Sequence, residues 1–312
     1  MGASMKLIIQ IPCFNEAGTL AIALAKLPRQ VEGFTSVEWL VIDDGSVDGT
    51  ADVARSNGVD HVVRHTVNRG LAAAFMTGLS ACLKMDADVI VNTDADNQFN
   101  AGDIPKLVQP IIEGRSEFVI GARPISNISH FSPIKKFLQI LGSYAMRLLS
   151  GTSVADAPSG FRAITRRVAK SLFVHSQYTY TLDTIIQAGC KNIDITSVPI
   201  SVNKDLRPSR LVKSIGSYVM KSIGTMIFIF IMYRPLKFFL VVGSFFFIPG
   251  FLLGIRFLVF FVSGSGQGKT QSLILASLLL TISVLLLCLG IIAELIACNR
   301  RVLEDIRAKQ LD

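Results

Sequence analysis

Asp94-Ala95-Asp96-Asn97-Gln98 is the stretch whose residue types most directly imply chemistry. It follows the apolar run Val89 to Asn92, and a turn at the end of a strand lets alternate side chains converge on one side. Two carboxylates, Asp94 and Asp96, with the amide oxygen of Gln98, suit a hard divalent cation (Mg2+ or Mn2+) that keeps positions open for phosphate oxygens. Such an ion acts as a Lewis acid and stabilises negative charge as a diphosphate departs. A lone D-x-D is weak; what strengthens this one is its place after a buried strand, third in a series of acidic strand ends.

The other two members of the series lie upstream. Pro12-Cys13-Phe14-Asn15-Glu16 closes the apolar run Lys6 to Ile11, and Asp43-Asp44-Gly45-Ser46-Val47-Asp48-Gly49-Thr50 closes the run Val37 to Ile42. Carboxylates such as Asp43 and Asp44 at a strand end can accept hydrogen bonds from a ribose or a base. Gly45 permits a tight turn, and Asp48 or Thr50 is expected to cap the following helix.

The elements that must position these residues alternate. Helical spacing runs from Glu16 to Leu27, Val47 to Ser56 opens a second helix, Val62-Val63 makes a short strand, and Gly70 to Met85 a third helix before Val89 to Asn92. This β-α-β-α order predicts an α/β fold with a mainly parallel sheet and helices on both faces. Ligands in such sheets sit beyond the carboxyl ends of the strands, which is where the acidic motifs fall.

The C-terminal third is different in kind. Ser272 to Ala293 carries no charge, and about 20 such residues cross a ~30 Å hydrocarbon core. Phe238 to Ile255 continues past Arg256 to Val262 and makes a second span if Arg256 snorkels to the interface. Phe131 to Leu149 and Leu211 to Tyr233 mix basic and apolar residues and are expected to lie along the bilayer surface. The predicted organisation is a catalytic domain over 1–205, with an interfacial helix at 131–149, then a juxtamembrane helix at 206–234, two spans within 235–298 and a basic tail at 299–312. Arg234, Lys237, Arg300, Arg301, Arg307 and Lys309 flank the outer ends of the spans, so the positive-inside rule places the domain that carries the acidic motifs and both termini in the cytoplasm.

The net charge of +8 does not indicate nucleic acid, because the basic residues gather near the membrane segments and no basic groove is interleaved with aromatics. The lipid bilayer is the better-placed partner. Five cysteines without a C-x-x-C fit unpaired thiols in a reducing compartment, and no signal peptide is expected. Gly264 to Thr270 ends in Gly-Lys-Thr but has Ser at 263 where a phosphate-binding loop needs Gly. The four histidines show no spacing for zinc or a triad.

Taken in order, Pro12 to Glu16, the run from Asp43 to Thr50, Asn68-Arg69-Gly70, Asp94 to Gln98, Gly121-Ala122-Arg123 and Asp156-Ala157-Pro158-Ser159-Gly160-Phe161-Arg162 resemble glycosyltransferase family 2. Within it the chain resembles the polyprenyl-phosphate glycosyltransferases related to dolichol-phosphate mannose synthase, from about residue 6 to 215. The two spans are similar to the bacterial glucosyltransferase branch. The resemblance implies a GT-A fold and an inverting transfer from a nucleotide sugar, UDP- or GDP-linked, to a polyprenyl phosphate such as undecaprenyl or dolichyl phosphate. By motif position it implies that Pro12, Asn15, Glu16, Asp43, Asp44, Ser46, Arg69 and Asp94 hold the nucleotide sugar, and that Asp94, Asp96 and Gln98 serve the metal. It places Asp156, Asp96, Arg123 and Arg162 at the catalytic centre, with Arg123 and Arg162 facing phosphates.

An acceptor phosphate monoester has a second pKa near 6, so it is mostly dianionic at neutral pH and attacks without a general base. Asp156 is therefore either a base or a residue that orients an arginine or the sugar. Lys204, Arg207 and Arg210, ahead of the second interfacial helix, are placed to draw a lipid phosphate to the site. A processive polysaccharide synthase would carry Q-x-x-R-W, yet the single tryptophan, Trp39, lies in an early strand. A non-catalytic nucleotide-binding membrane scaffold would have no need of the intact acidic positions. The sugar, the base, the prenyl length and homo-oligomer formation stay open.

Overall fold

The computed structural model describes residues 5–124, 142–147, 149–174, 180–203, 215–264 and 270–310. The chain divides into two compact units, Met1–Met226 with Ala308–Asp312, and Ile227–Arg307.

In the first unit, β1 (Lys6–Cys13), α1 (Ala17–Leu24), β2 (Ser36–Asp43), α2 (Thr50–Ser56), β3 (His61–Arg64), α3 (Leu71–Lys84) and β4 (Val89–Asn92) follow in the expected alternation. Then come α4 (Ile104–Ile112), β5 (Phe118–Ala122), β6 (Arg162–Thr165), α5 (Arg166–Ser171), α6 (Tyr180–Cys190) and β7 (Ile195–Pro199). The seven strands form one sheet in the order β3-β2-β1-β4-β6-β5-β7. β1 pairs in parallel with β2 and β4, while β6 runs antiparallel between β4 and β5. The sheet is thus mainly parallel, as the alternation predicts. Leu7, Ile8, Ile9 and Ile11 of β1 are fully buried, as a central strand covered on both faces requires.

The topology brings the motifs together. The ends of β1, β2 and β4 lie side by side, so Asn15-Glu16, Asp43-Asp44 and Asp94-Asp96 share one edge. Because β6 is antiparallel, its first residue, Arg162, pairs with Asn92 at the last position of β4. The Asp156–Gly160 turn that precedes it therefore reaches the same edge. Arg123, just past the end of β5, arrives there too.

One helix start departs from expectation. α2 begins at Thr50 rather than Val47, because Asp48 turns back to accept a hydrogen bond from the Ala17 amide (3.0 Å), leaving Val47 90% exposed and Gly49 at φ 85°. Asp48 caps α1 as well as accepting from the Thr50 amide at 3.1 Å. Trp39 lies in β2 beneath the guanidinium of Arg29, its indole N–H donating to the Pro28 carbonyl (3.1 Å), a packing role.

α7 (Ile215–Tyr233) follows β7, and α8 (Pro235–Val262) and α9 (Thr270–Gln310) are both long and apolar enough to cross a membrane. Large apolar side chains such as Phe245 (75%) and Val262 (84%) are exposed along α8, an arrangement costly in water and favourable in lipid. Within the second unit, Gly250 lets the helices approach: a Cβ there would lie 2.9 Å from Leu279. Glu294 accepts from the Leu236 amide in the first turn of α8 (3.4 Å) and from Arg301 (2.6 Å). Of the expected interfacial helix at 131–149, residues 142–147 and 149 are described, and they are helical.

Candidate active site

The loop after β2 is locked to the loop after β1. The Asn15 amide donates to Ser46 Oγ (2.9 Å), the Asn15 side-chain oxygen accepts from the Val47 amide (3.0 Å), and the Glu16 amide donates to Thr50 Oγ1 (2.9 Å). Asn15 adopts φ 55°, a left-handed conformation that asparagine tolerates better than most residues. Gly45, at φ 75°, lets the backbone at Val67-Asn68 pass so closely that a Cβ would lie 2.6 Å from a carbonyl carbon. Pro12 is buried one residue before the strand ends.

Asp43 and Asp44, adjacent in sequence, are used differently. Asp43 accepts from the Ser46 amide through Oδ1 (2.9 Å), and its buried Oδ2 lies 3.2 Å from Arg64 Nε but has no hydrogen bond among the described residues. Asp44 accepts from His65 Nδ1 (2.6 Å), the Arg69 amide (2.9 Å) and the Gly70 amide (2.8 Å). Its carboxylate therefore holds the Asn68-Arg69-Gly70 turn, leaving Arg69 exposed at the rim. His65, one of the four histidines without zinc or triad spacing, is a core partner of Asp44 and also contacts Thr77 Oγ1 (3.0 Å).

At the end of β4, Asp96 Oδ1 accepts from the Gln98 amide (3.0 Å), and Asn97 adopts φ 57°. Asp94, Asp96 and Gln98 are half-buried. Withdrawal from water, and then the Asp96 charge, push the Asp94 carboxyl up to about 7; Arg123 and Arg162 pull it down, and Glu16 raises it further. These groups thus share one electrostatic field. A sequence reading missed Asn203, whose side chain donates to the carbonyls of Asn97 (2.9 Å) and Phe99 (3.1 Å) and whose amide donates to Gln98 (2.9 Å). It straps the acidic loop in place from more than a hundred residues away, a link without a local signal.

Among the described residues, no group of three or more His, Cys, Asp or Glu side chains could hold a metal. Two carboxylates that repel each other at one rim nevertheless fit an ion that takes one or two protein carboxylates and completes its shell with phosphate oxygens and water. Asp94 and Asp96 are the residues that would hold it, and Gln98 is the neighbouring oxygen donor.

Asp156 is 1% exposed and forms a bidentate pair with Arg123: Nε to Oδ2 at 2.7 Å and Nη2 to Oδ1 at 3.0 Å, with the Arg123 amide also on Oδ2 (3.2 Å). Of the two roles open from sequence, this geometry favours orientation of an arginine. Arg162 requires a correction. It is 2% exposed, and its guanidinium donates to the carbonyls of Ser159 (2.8 Å) and Ala157 (2.9 Å) and to Thr184 Oγ1 (2.5 Å). Instead of facing a phosphate, it shapes the Ala157–Ser159 turn from inside, because the antiparallel β6 carries it into the core between Phe118 and Tyr180. Burial lowers its pKa to about 10, leaving it charged at neutral pH. Lys204, Arg207 and Arg210 lie outside the described residues.

Comparison with known proteins bears on the family and the fold. The chain is 30% identical over 212 residues to a UDP-N-acetylglucosamine–dolichyl-phosphate N-acetylglucosaminyltransferase of Methanococcus voltae, covering 61% of this chain and 82% of that protein. It is 27% identical over 218 residues to an undecaprenyl-phosphate mannosyltransferase of Micrococcus luteus, covering 66% and 88%. Among solved structures, glucosyl-3-phosphoglycerate synthase of Mycobacterium tuberculosis, crystallised with Mn2+, UDP-glucose and phosphoglyceric acid, superposes with a TM-score of 0.59 at 21% identity, covering 73% of this chain and 80% of that one. That likeness shows the GT-A fold. The pattern of Glycosyl transferase family 2 matches residues 8–173, more than half of the chain, and the chain belongs to that family.

Proposed function

We propose that the chain transfers a sugar, with inversion, from a nucleoside-diphosphate sugar to a polyprenyl phosphate at the membrane surface. The observation that carries this is the pair of neighbouring like charges, Asp94 and Asp96, on the edge where the Asn15–Ser46 loops and the Arg123–Asp156 pair also meet. In this reading Asn15, Glu16, Asp43 and Ser46 line the nucleotide site, Arg69 stands at its rim, and Asp44 acts by holding the Arg69 turn. A bound Mg2+ or Mn2+ supplies charge stabilisation for the departing diphosphate. In the same reading Arg123, held flat by Asp156, stands beside the acidic loop, where a guanidinium suits the phosphates of the donor. The acceptor is already an anion, so no base is required of Asp156.

The acceptor class rests on the similarity to polyprenyl-phosphate transferases, together with two helices able to keep the chain where a prenyl chain is dissolved. The basic residues beside the spans support a cytoplasmic site. The test is turnover of the full chain in nanodiscs containing polyprenyl phosphate, against a panel of labelled UDP- and GDP-sugars. One nucleotide sugar is expected to give a lipid-linked product, and Asp96→Asn is expected to abolish it. Unchanged turnover in Asp96→Asn would sink the metal role, and nucleotide binding without transfer to lipid from any donor would sink the reaction.

A further inference from the structure

A buried polar chain runs behind the acidic loop, and the reaction as described makes no use of it. Gln10 on β1 and Asn92 on β4 are 0% and 2% exposed, in strands that are otherwise apolar at these depths. Gln10 Nε2 donates to Asn92 Oδ1 (2.9 Å), and Asn92 Nδ2 donates both to the Gly160 carbonyl (2.9 Å) and to the Tyr180 hydroxyl (2.9 Å). The Tyr180 ring is stacked on Phe75 with centroids 4.0 Å apart, so the hydroxyl has little freedom to move. Since it accepts from Asn92, its own proton is left to donate; the Gly160 carbonyl, at 3.4 Å, is a long partner for it.

Gly160 shows what this chain leads to. A Cβ at that position would lie 2.9 Å from the Tyr180 oxygen and 3.1 Å from each of the Asp94 carboxylate oxygens. The hydroxyl and the carboxylate therefore flank the same bare face of one glycine. A satisfied network buried at this depth is rigid, whereas a half-satisfied one is costly. The network thus ends at Gly160, whose bare face lies against the Asp94 carboxylate.

We infer that Tyr180, held by Asn92, is a positioning residue that backs the Asp94 carboxylate across Gly160 and fixes its orientation toward a divalent cation. This deepens the proposed function and rests on its assignment of Asp94 to a metal. Groups that orient a metal ligand from behind typically change affinity by about 10–100-fold when removed.

The experiment measures Mn2+ binding to the full chain in detergent by electron paramagnetic resonance, with UDP or GDP present, alongside nucleotide binding without metal. Tyr180→Phe keeps the ring and its stack and removes one oxygen; it is expected to weaken Mn2+ binding roughly tenfold and to alter the spectrum of the bound ion, with metal-free nucleotide affinity unchanged. Gly160→Ala, whose methyl group meets the carboxylate directly, is expected to weaken Mn2+ binding further. A merely structural role would move nucleotide and metal affinity together. If Asp94→Asn abolishes Mn2+ binding while Tyr180→Phe binds it as the unaltered chain does, the positioning role is overturned and the metal site stands. If the unaltered chain binds no Mn2+, or Asp94→Asn binds it normally, the metal assignment falls and the inference with it.

Discussion

The end of β2 and the end of β4 carry the same residue type on the same edge of the sheet, yet their carboxylates are supplied with very different partners. Asp44 is 2% exposed and accepts from two backbone amides and a histidine. Asp94 is half-buried, looks toward Asp96 and Glu16 and is only partly offset by two arginines, so its carboxyl is pushed up to about 7. A carboxylate supplied with N–H donors is a structural part that determines where a loop runs. One left short of donors, beside another of its kind, is a site that a cation would complete. An acidic strand end is therefore functional in proportion to what the fold withholds from it.

The largest expected effect separates the two directly. Asp94→Asn removes a charge the fold only partly offsets and a cation would complete, so transfer should fall by about a thousandfold, several kcal/mol of transition-state stabilisation. Thermal unfolding of the metal-free chain should be unchanged or shifted upward. A large loss of stability in Asp94→Asn would show that the carboxylate is already satisfied and would remove the contrast. Asp44→Ala should behave in the opposite way. It strands the Arg69 and Gly70 amides and His65, and should destabilise the first unit by about 3 kcal/mol, roughly a hundredfold in the unfolding equilibrium. The measurement is thermal or denaturant unfolding in detergent, and a neutral Asp44→Ala would place Asp44 among the ligand-facing residues instead.

The β-α-β-α order, the parallel sheet and the shared edge were legible because short apolar runs ending in Pro, Gly or Asp are strong local signals. Val89 to Asn92 was read with the bounds the strand has. The last three strands carry no comparable signal. β6 is only four residues long, and its direction, which decides what reaches the edge, has no periodicity of its own. Arg162 departs from expectation for that reason: its motif places it near the site, but only the antiparallel pairing shows that its guanidinium turns inward. Asp43 and Asp44 could not be told apart, since their roles depend on amides some 25 residues away. Asn203 and Tyr180 act over still longer separations, through contacts that leave no local pattern.

The smallest expected effect is a pH dependence, and its sign is the most specific test of the comparison. The Asp94 carboxyl, ordinarily near 3.8, titrates at about 7 in the folded chain, so between these values the native state holds a proton that the unfolded state has lost. Stability of the metal-free chain should therefore fall as pH rises through this window. Between pH 6 and pH 8 the contribution is about 1 kcal/mol, read as the difference between the unaltered chain and Asp94→Asn so that other titrating groups cancel. With Mn2+ and a nucleoside diphosphate present this slope should flatten, because the ion displaces the proton and binds the deprotonated form, leaving the native state no extra proton to lose. Asp44→Asn, by contrast, should not remove the metal-free slope, since the carboxylate that produces it is still in place. A slope that survives Asp94→Asn, or one that Mn2+ leaves undiminished, would mean that the charge at the end of β4 is not the group a cation relieves.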